Sequence, residues 1–451
     1  MAHKRKYFSL IRFSTLLIAG ALSVAPMAAS GPTFQTLVIL NGVDNGGQPW
    51  SAPISDQAGN LYGTTSEGGN GPRSVGEWTL GCGTVYKLSP PVDGAPWTQT
   101  LLYQFQGSAD GTYPVGGLLL DATGNLYGTT ENGGADSCGT AFKLTPPTSG
   151  SGPWSKDILY SFACGSHGAY PESSLIFDKS GNLYGTAVSG GSCNDNLGCG
   201  GVVYELTPPS TGGGAWTESV LYAFPGGREG YVPQSTLVLS GGKLYGTTIF
   251  GGTGNTCEEY ENCGTIFELS PPASPGGAWT ESVLHSFAVQ ETDGNMPRSG
   301  LIRDRSGNFY GVTEFGGNYG VGTVYQFTPP ASAGRPWTES VLYSFDYTEG
   351  ADPFGNLAIS ASGSLYGTTQ FGGPSDNGNV FQLSPPAVAG DPWVATSLVI
   401  FNPPGYPLAG LTFGANGWLY GATLGAEETD ECATSSSGQN LGCGILFRIL
   451  P

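Results

Sequence analysis

One five-residue word constrains this chain more than any other feature. Gly-x-Leu-Tyr-Gly recurs at residues 59–63, 124–128, 181–185, 242–246, 363–367 and 417–421, with a Phe variant at 307–311. These seven copies place their tyrosines 54 to 65 residues apart, from Tyr62 to Tyr420. A short β-like word at that period predicts a propeller, with one four-stranded blade per repeat. Composition excludes the competitors. The 75 Gly and 33 Pro break helix interiors, ruling out a helical bundle. Aromatic residues at 12% bury too much area for collagen or a disordered chain.

Three companion words travel with each copy. Ahead of it, a proline opens an apolar strand that ends seven residues later at a turn residue, as in Pro114 and Asp121, Pro171 and Asp178, or Pro297 and Asp304. Behind it comes Gly-Thr-Val-Tyr-x-Leu-Ser/Thr-Pro-Pro, at 83–91 and in variants at 264–272 and 322–330. Last is Trp-Thr-x-x-x-Leu-Tyr-x-Phe, at 97–105, 216–224 and 337–345. Each word is rich in β-branched and aromatic residues and bounded by Gly, Pro or Asp/Asn, as strands are. From axis to rim the blade therefore reads Pro strand, Tyr strand, Gly-Thr strand, Trp strand. The chain opens with a lone rim-type strand at 34–40 and finishes with three inner strands at 407–413, 418–423 and 444–450. The fold expected is all-β: a seven-bladed β-propeller whose N-terminal strand completes the C-terminal blade and removes an open sheet edge.

The run Gly-Asn-Leu-Tyr-Gly-Thr-Thr, followed by Gly-Gly and by Gly-Thr-Val-Tyr-x-Leu-Ser-Pro-Pro, resembles the GloVer tandem repeats of bacterial extracellular proteins. The resemblance spans essentially all of residues 31–451 and implies a bacterial secreted propeller. It brings no catalytic residues with it. The terminal sorting or anchoring segment frequent in that family has no counterpart in the words read here.

Residues 1–30 read as a secretory signal, leaving 31–451 as one propeller domain. Lys4, Arg5, Lys6 and Arg12 supply the positive region, residues 15–24 the apolar stretch, and Ala28, Ala29 and Ser30 the small residues of a cleavage site. The apolar stretch is short for a membrane span, so secretion is expected, with no membrane insertion of the mature chain. The formal charge of -19 becomes -23 without the leader, 12 Lys+Arg against 35 Asp+Glu. Such a surface repels phosphate backbones and anionic lipid, so nucleic acid is not an expected partner. A monomer is expected.

Five of the nine cysteines stand just ahead of a third strand: Cys82, Cys138, Cys199, Cys263 and Cys443. In a secreted chain the pairs Cys193 with Cys199, Cys257 with Cys263, and Cys432 with Cys443 read as disulfides within loops. Antiparallel neighbours bring Cys138 to Cys164, the fourth expected bond. Cys82 is left over. Cys-x-x-Cys spacings for thiolate zinc are missing, so no metal site is expected from the cysteines. All these cysteines fall on the face whose loops vary in length, and variable loops on a rigid scaffold are where binding resides.

Only His167 and His285 remain outside the leader, too few for a three-His metal site and poor material for a His-based triad. His285 replaces a rim-strand tyrosine and reads as structural. Two acidic loop clusters, Glu258, Glu259 and Glu261, then Glu427, Glu428, Asp430 and Glu431, could offer oxygen ligands to Ca²⁺ or be solvated loops. The residues just before and after each proline should ring the channel mouth: Trp50, Tyr113, Tyr170, Glu172, Gln234, Arg298, Phe354 and Tyr406. They suit sugar stacking and hydrogen bonding, or they seal the channel. The expected function is a binding module for an extracellular glycan or protein, with no cofactor. The alternatives are a polysaccharide lyase or hydrolase with Arg298, Glu172 and a tyrosine converging at the mouth, and a structural cell-surface component.

Overall fold

A computed structural model describes residues 31–451 except 72–73, 76–77, 80, 94, 195–197, 211–213, 254–262, 275, 289–292, 333–334, 403–404 and 426–442. The leader, Cys257, Cys432 and both acidic clusters therefore lie outside the described residues. Seven antiparallel sheets follow one another along the chain, forming a seven-bladed β-propeller. Blade one runs Ile54–Ser55, Leu61–Thr65, Thr84–Ser89 and Thr98–Gln104, inner to outer, in the order expected. Blade seven pairs Thr412–Phe413, Leu419–Thr423 and Gly444–Leu450 with the N-terminal strand Thr33–Leu40. That last pairing is antiparallel, with Thr33 opposite Leu450 and Leu40 opposite Gly444. The ring closes as the sequence requires.

The repeated word is explained residue by residue. Its leucine is fully buried in blade after blade, as at Leu61, Leu126, Leu183 and Leu244. Its tyrosine is buried with the hydroxyl donating to the turn aspartate, Tyr62 to Asp56 at 3.1 Å and Tyr310 to Asp304 at 3.1 Å. Its second glycine makes room for an aromatic ring of the third strand. A Cβ at Gly128 would lie 2.7 Å from Phe142, and one at Gly246 would lie 2.6 Å from Phe267. The two threonines that follow point opposite ways, as strand pleating demands. The first bonds to the next blade, as Thr186 Oγ1 does to Ser235 O (3.3 Å) and Thr247 Oγ1 to Ser299 O (3.1 Å). The second bonds across its own sheet, Thr65 to Thr84 and Thr248 to Thr265 at 2.8 Å each.

A second device joins neighbouring blades. The glycine opening the third-strand word packs on the proline of the following blade. A Cβ at Gly83, Gly139, Gly201 or Gly264 would stand 2.5 Å from Cδ of Pro114, Pro171, Pro233 or Pro297. Gly444 meets Pro49 in the same way, across the closure. The core lies between blades, with seven clusters that each draw on two of them. Tyr127 and Ala141 of blade two, for example, share a cluster with Leu175, Leu183 and Tyr204 of blade three.

The innermost strands are shorter than the sequence suggests. Only residues such as Ile54–Ser55, Leu119–Leu120 and Ile176–Phe177 pair with the Tyr strand. Nearer the proline a serine side chain replaces the ladder. Ser173 Oγ accepts from Thr186 N (2.9 Å), and Ser235 Oγ from Thr247 N (3.0 Å). The freed backbone forms the channel wall.

Cys138 and Cys164 are bonded, tying the loop before the third strand of blade two to the loop leading into blade three. Cys199, Cys263 and Cys443 are also disulfide-bonded. Cys199 faces Cys193 in a two-residue ladder. Cys82 is buried in the cluster between blades one and two.

Candidate binding site at the channel mouth

The seven prolines set the mouth. Each is preceded by a residue in the left-handed region: Gln48, Tyr113, Tyr170, Val232, Met296, Asp352 and Tyr406, with φ between 50° and 61°. Side chains avoid that region unless the backbone is held on both sides. Here it is. Tyr113 N donates to Cys82 O (3.2 Å) while Tyr113 O accepts from Glu131 N (2.9 Å), and Tyr170 and Met296 are held alike. The turn separates the fates of the flanking side chains.

The residue after each proline faces the channel, where a cavity of about 560 Å³ opens. Trp50, Glu172, Gln234, Arg298 and Phe354 line it, as expected from the sequence. Tyr113, Tyr170 and Tyr406 are not among its lining residues. The Tyr113 hydroxyl donates to Glu67 (3.4 Å), Tyr170 is 37% exposed, and Tyr406 meets Phe371 edge-on with ring centres 5.7 Å apart. The sequence reading missed Glu131, Glu314 and Gln370, which line the cavity from the second strand. Each directly follows the last threonine of the extended Tyr word, Thr130, Thr313 and Thr369, a signal that was available.

Polar groups in the cavity pair off around the ring. Gln234 Nε2 donates to Glu172, and Arg298 Nε donates to Glu314. The Arg298 guanidinium also lies 5.5 Å from the ring centre of Phe354. Burial pushes the Glu172 carboxyl up to about 7; the bond from Gln234 opposes this, the charge of Glu131 adds to it, and Arg298 opposes it. Beside the mouth, burial and then the charges of Glu314 and Asp376 raise Asp352 to about 6. Two buried polar atoms in the lining residues have no partner among the described residues: the donor Trp50 Nε1 and the acceptor Gln234 Oε1. Arg298, Glu172 and a tyrosine do not converge: no tyrosine among the described residues lines the cavity, and Arg298 is held by Glu314.

A family model of the Gloeobacter/Verrucomicrobia repeat matches residues 21–260 and 198–435. The chain belongs to this repeat family. The two matched regions together span all seven Tyr words. No curated protein matches the chain. Among solved structures, a putative oxidoreductase (glucose dehydrogenase) from Thermus thermophilus is 15% identical, covering 93% of this chain and 100% of that one at a TM-score of 0.39. A luciferin-regenerating enzyme is 13% identical, with coverages of 93% and 96% and a TM-score of 0.40. A Trichoderma reesei carbohydrate-active enzyme of family AA12 is 12% identical, with coverages of 90% and 98% and a TM-score of 0.37. At such values these likenesses bear on no activity of the Gloeobacter/Verrucomicrobia repeat protein. Among the described residues, no helix is long and apolar enough to cross a membrane.

Proposed function

We propose that the protein is a secreted binding module that holds a neutral glycan in the channel mouth and does not cleave it. The observation that carries this reading is the pair of orphaned polar atoms. Trp50 Nε1, a donor, and Gln234 Oε1, an acceptor, lie buried without a partner among the described residues, in two side chains that line the same cavity. Buried polar groups left unpaired cost about 1–3 kcal/mol each, so a ligand bearing hydroxyls, which both donate and accept, gains what the protein forgoes. The cavity volume falls in the range of small-ligand sites, and Trp50 and Phe354 offer ring faces to a sugar.

Glycan-array binding followed by calorimetry tests this. Trp50→Phe keeps the apolar ring and removes the N–H, and it is expected to weaken the best glycan about tenfold, the cost of one hydrogen bond. Failure of every glycan to bind, or release of cleaved product on incubation, would sink the proposal. A second reading, a polysaccharide-cleaving enzyme, draws on Glu172, whose carboxyl near 7 suits a general acid or base. Among the described residues no tyrosine lines the cavity to join it. A purely structural component predicts no pocket, and the cavity counts against it.

A further inference from the structure

Away from the mouth, a polar cluster recurs at the outer edge between blades, and its chemistry changes from one pair of blades to the next. Its members are a rim-strand tyrosine, a residue of the loop that follows, and a rim residue of the next blade. Between blades one and two, Tyr103 donates to Asp110 (2.7 Å) and the Lys156 ammonium pairs with it (2.8 Å). Between blades two and three, His167 Nδ1 meets Glu218 at 2.9 Å. Between blades three and four, Tyr222 donates to Glu229.

The cluster between blades four and five keeps the rim glutamate of the second and third, Glu218 and Glu281, but differs by its imidazole. His285 stands where the others have tyrosine, and Glu339 where the first has lysine. His285 Nε2 and the nearer Asp293 oxygen lie 3.7 Å apart, beyond hydrogen-bond reach. Nε2 is buried with no hydrogen-bond partner among the described residues, as is Glu339 Oε1. One ligand atom from each of His285, Asp293 and Glu339 falls within 4.8 Å of the other two. Two carboxylates thus face an imidazole where the first seam balances its acid with an ammonium.

We propose that His285, Asp293 and Glu339 form a binding site for a divalent transition metal of the Zn²⁺ class, clamping blade four to blade five. One imidazole nitrogen and two carboxylates are a mixed N/O donor set of the kind Zn²⁺ accepts, and a 2+ ion cancels the two acids. The donors are preset. Asp293 accepts from the amides of Ala288 (3.0 Å) and Gly294 (2.7 Å), and the imidazole sits edge-on to Phe287 with ring centres 4.7 Å apart. Such outer contacts orient ligands before the ion arrives. The His285 side chain as a whole remains 22% exposed, although its Nε2 is buried. The competing state is a proton-sharing network with a charged His285 and no ion.

Titration of the chelator-treated full chain with Zn²⁺ in a calorimeter separates the two. The expected result is one Zn²⁺ bound per chain, with a gain in melting temperature. His285→Tyr restores the residue used by blades one, two, three and five, so it should fold and lose that Zn²⁺ entirely, while His167→Ala should keep it. Glu339→Gln is expected to weaken binding at least about tenfold. No Zn²⁺ uptake by the native chain, or uptake unchanged in a folded His285→Tyr protein, overturns the site.

Discussion

Neighbouring blades meet along two seams, and the seams obey different rules. The inner one hardly changes around the ring: glycine meets proline at every junction, and threonine reaches the next blade's carbonyl from five blades, with Val312 and Ala422 at that position in the other two. The outer one changes at each step, from Asp110 with Lys156, to His167 with Glu218, to Glu229 beside Glu281, to the His285 cluster. The inner seam is backbone against backbone, where one extra carbon has nowhere to go, so only one residue serves. The outer seam is side chain against side chain near water, where many pairs reach similar energy. Sequence identity therefore concentrates where geometry is tight, and chemical variety where it is loose.

Five substitutions test that contrast. The largest effect is expected at Gly264, with φ +90 and a Cβ position 2.5 Å from both Pro297 and Thr248 O. Gly264→Ala should cost about 3–5 kcal/mol in chemical denaturation, whereas Gly181→Ala, also at positive φ but with nothing within 4 Å, should cost about 1 kcal/mol. Equal costs would remove the case for a tight inner seam. At the outer seam, Lys156→Met leaves Asp110 without its buried ammonium, and a loss of about 2 kcal/mol is expected, discounted because Asp110 is partly solvated.

The outer seam also makes stability depend on pH. Burial, and then the charge of Glu229, raises Glu281 from 4.5 to about 7. A carboxyl with a raised folded pKa binds its proton more tightly in the folded state, so its contribution is full below about 4.5 and declines as pH rises to about 7. Melting temperature should fall across that interval, and Glu281→Gln should flatten the slope. The smallest effect is expected from Thr186→Val, which removes one buried bond to Ser235 O at about 1 kcal/mol.

The same contrast explains what could be read from the sequence. Blade number, strand order and closure were legible because each inner-seam contact is local in wording and repeats. Trp50, Glu172, Gln234, Arg298 and Phe354 could be placed at the mouth because the proline fixes the residue after it. Tyr113, Tyr170 and Tyr406 could not, since a left-handed turn before proline is not implied by their identity. The outer clusters stayed hidden because their members come from different blades and share no word. His285 read as a packing residue standing in for tyrosine. Its nearness to Glu339 is a property of the assembled ring.

Strand pairing at the closure has one more consequence. Arg448 and Gln35 hydrogen-bond across 413 residues, yet Thr33 and Leu450 stand opposite each other as the last rungs of one ladder. In topological terms the folded domain is a circle of polypeptide cut at the tip of a hairpin. In a chain cut back to residues 33–450, a two-residue turn joining Thr33 to Leu450 would make a macrocycle without moving a single blade.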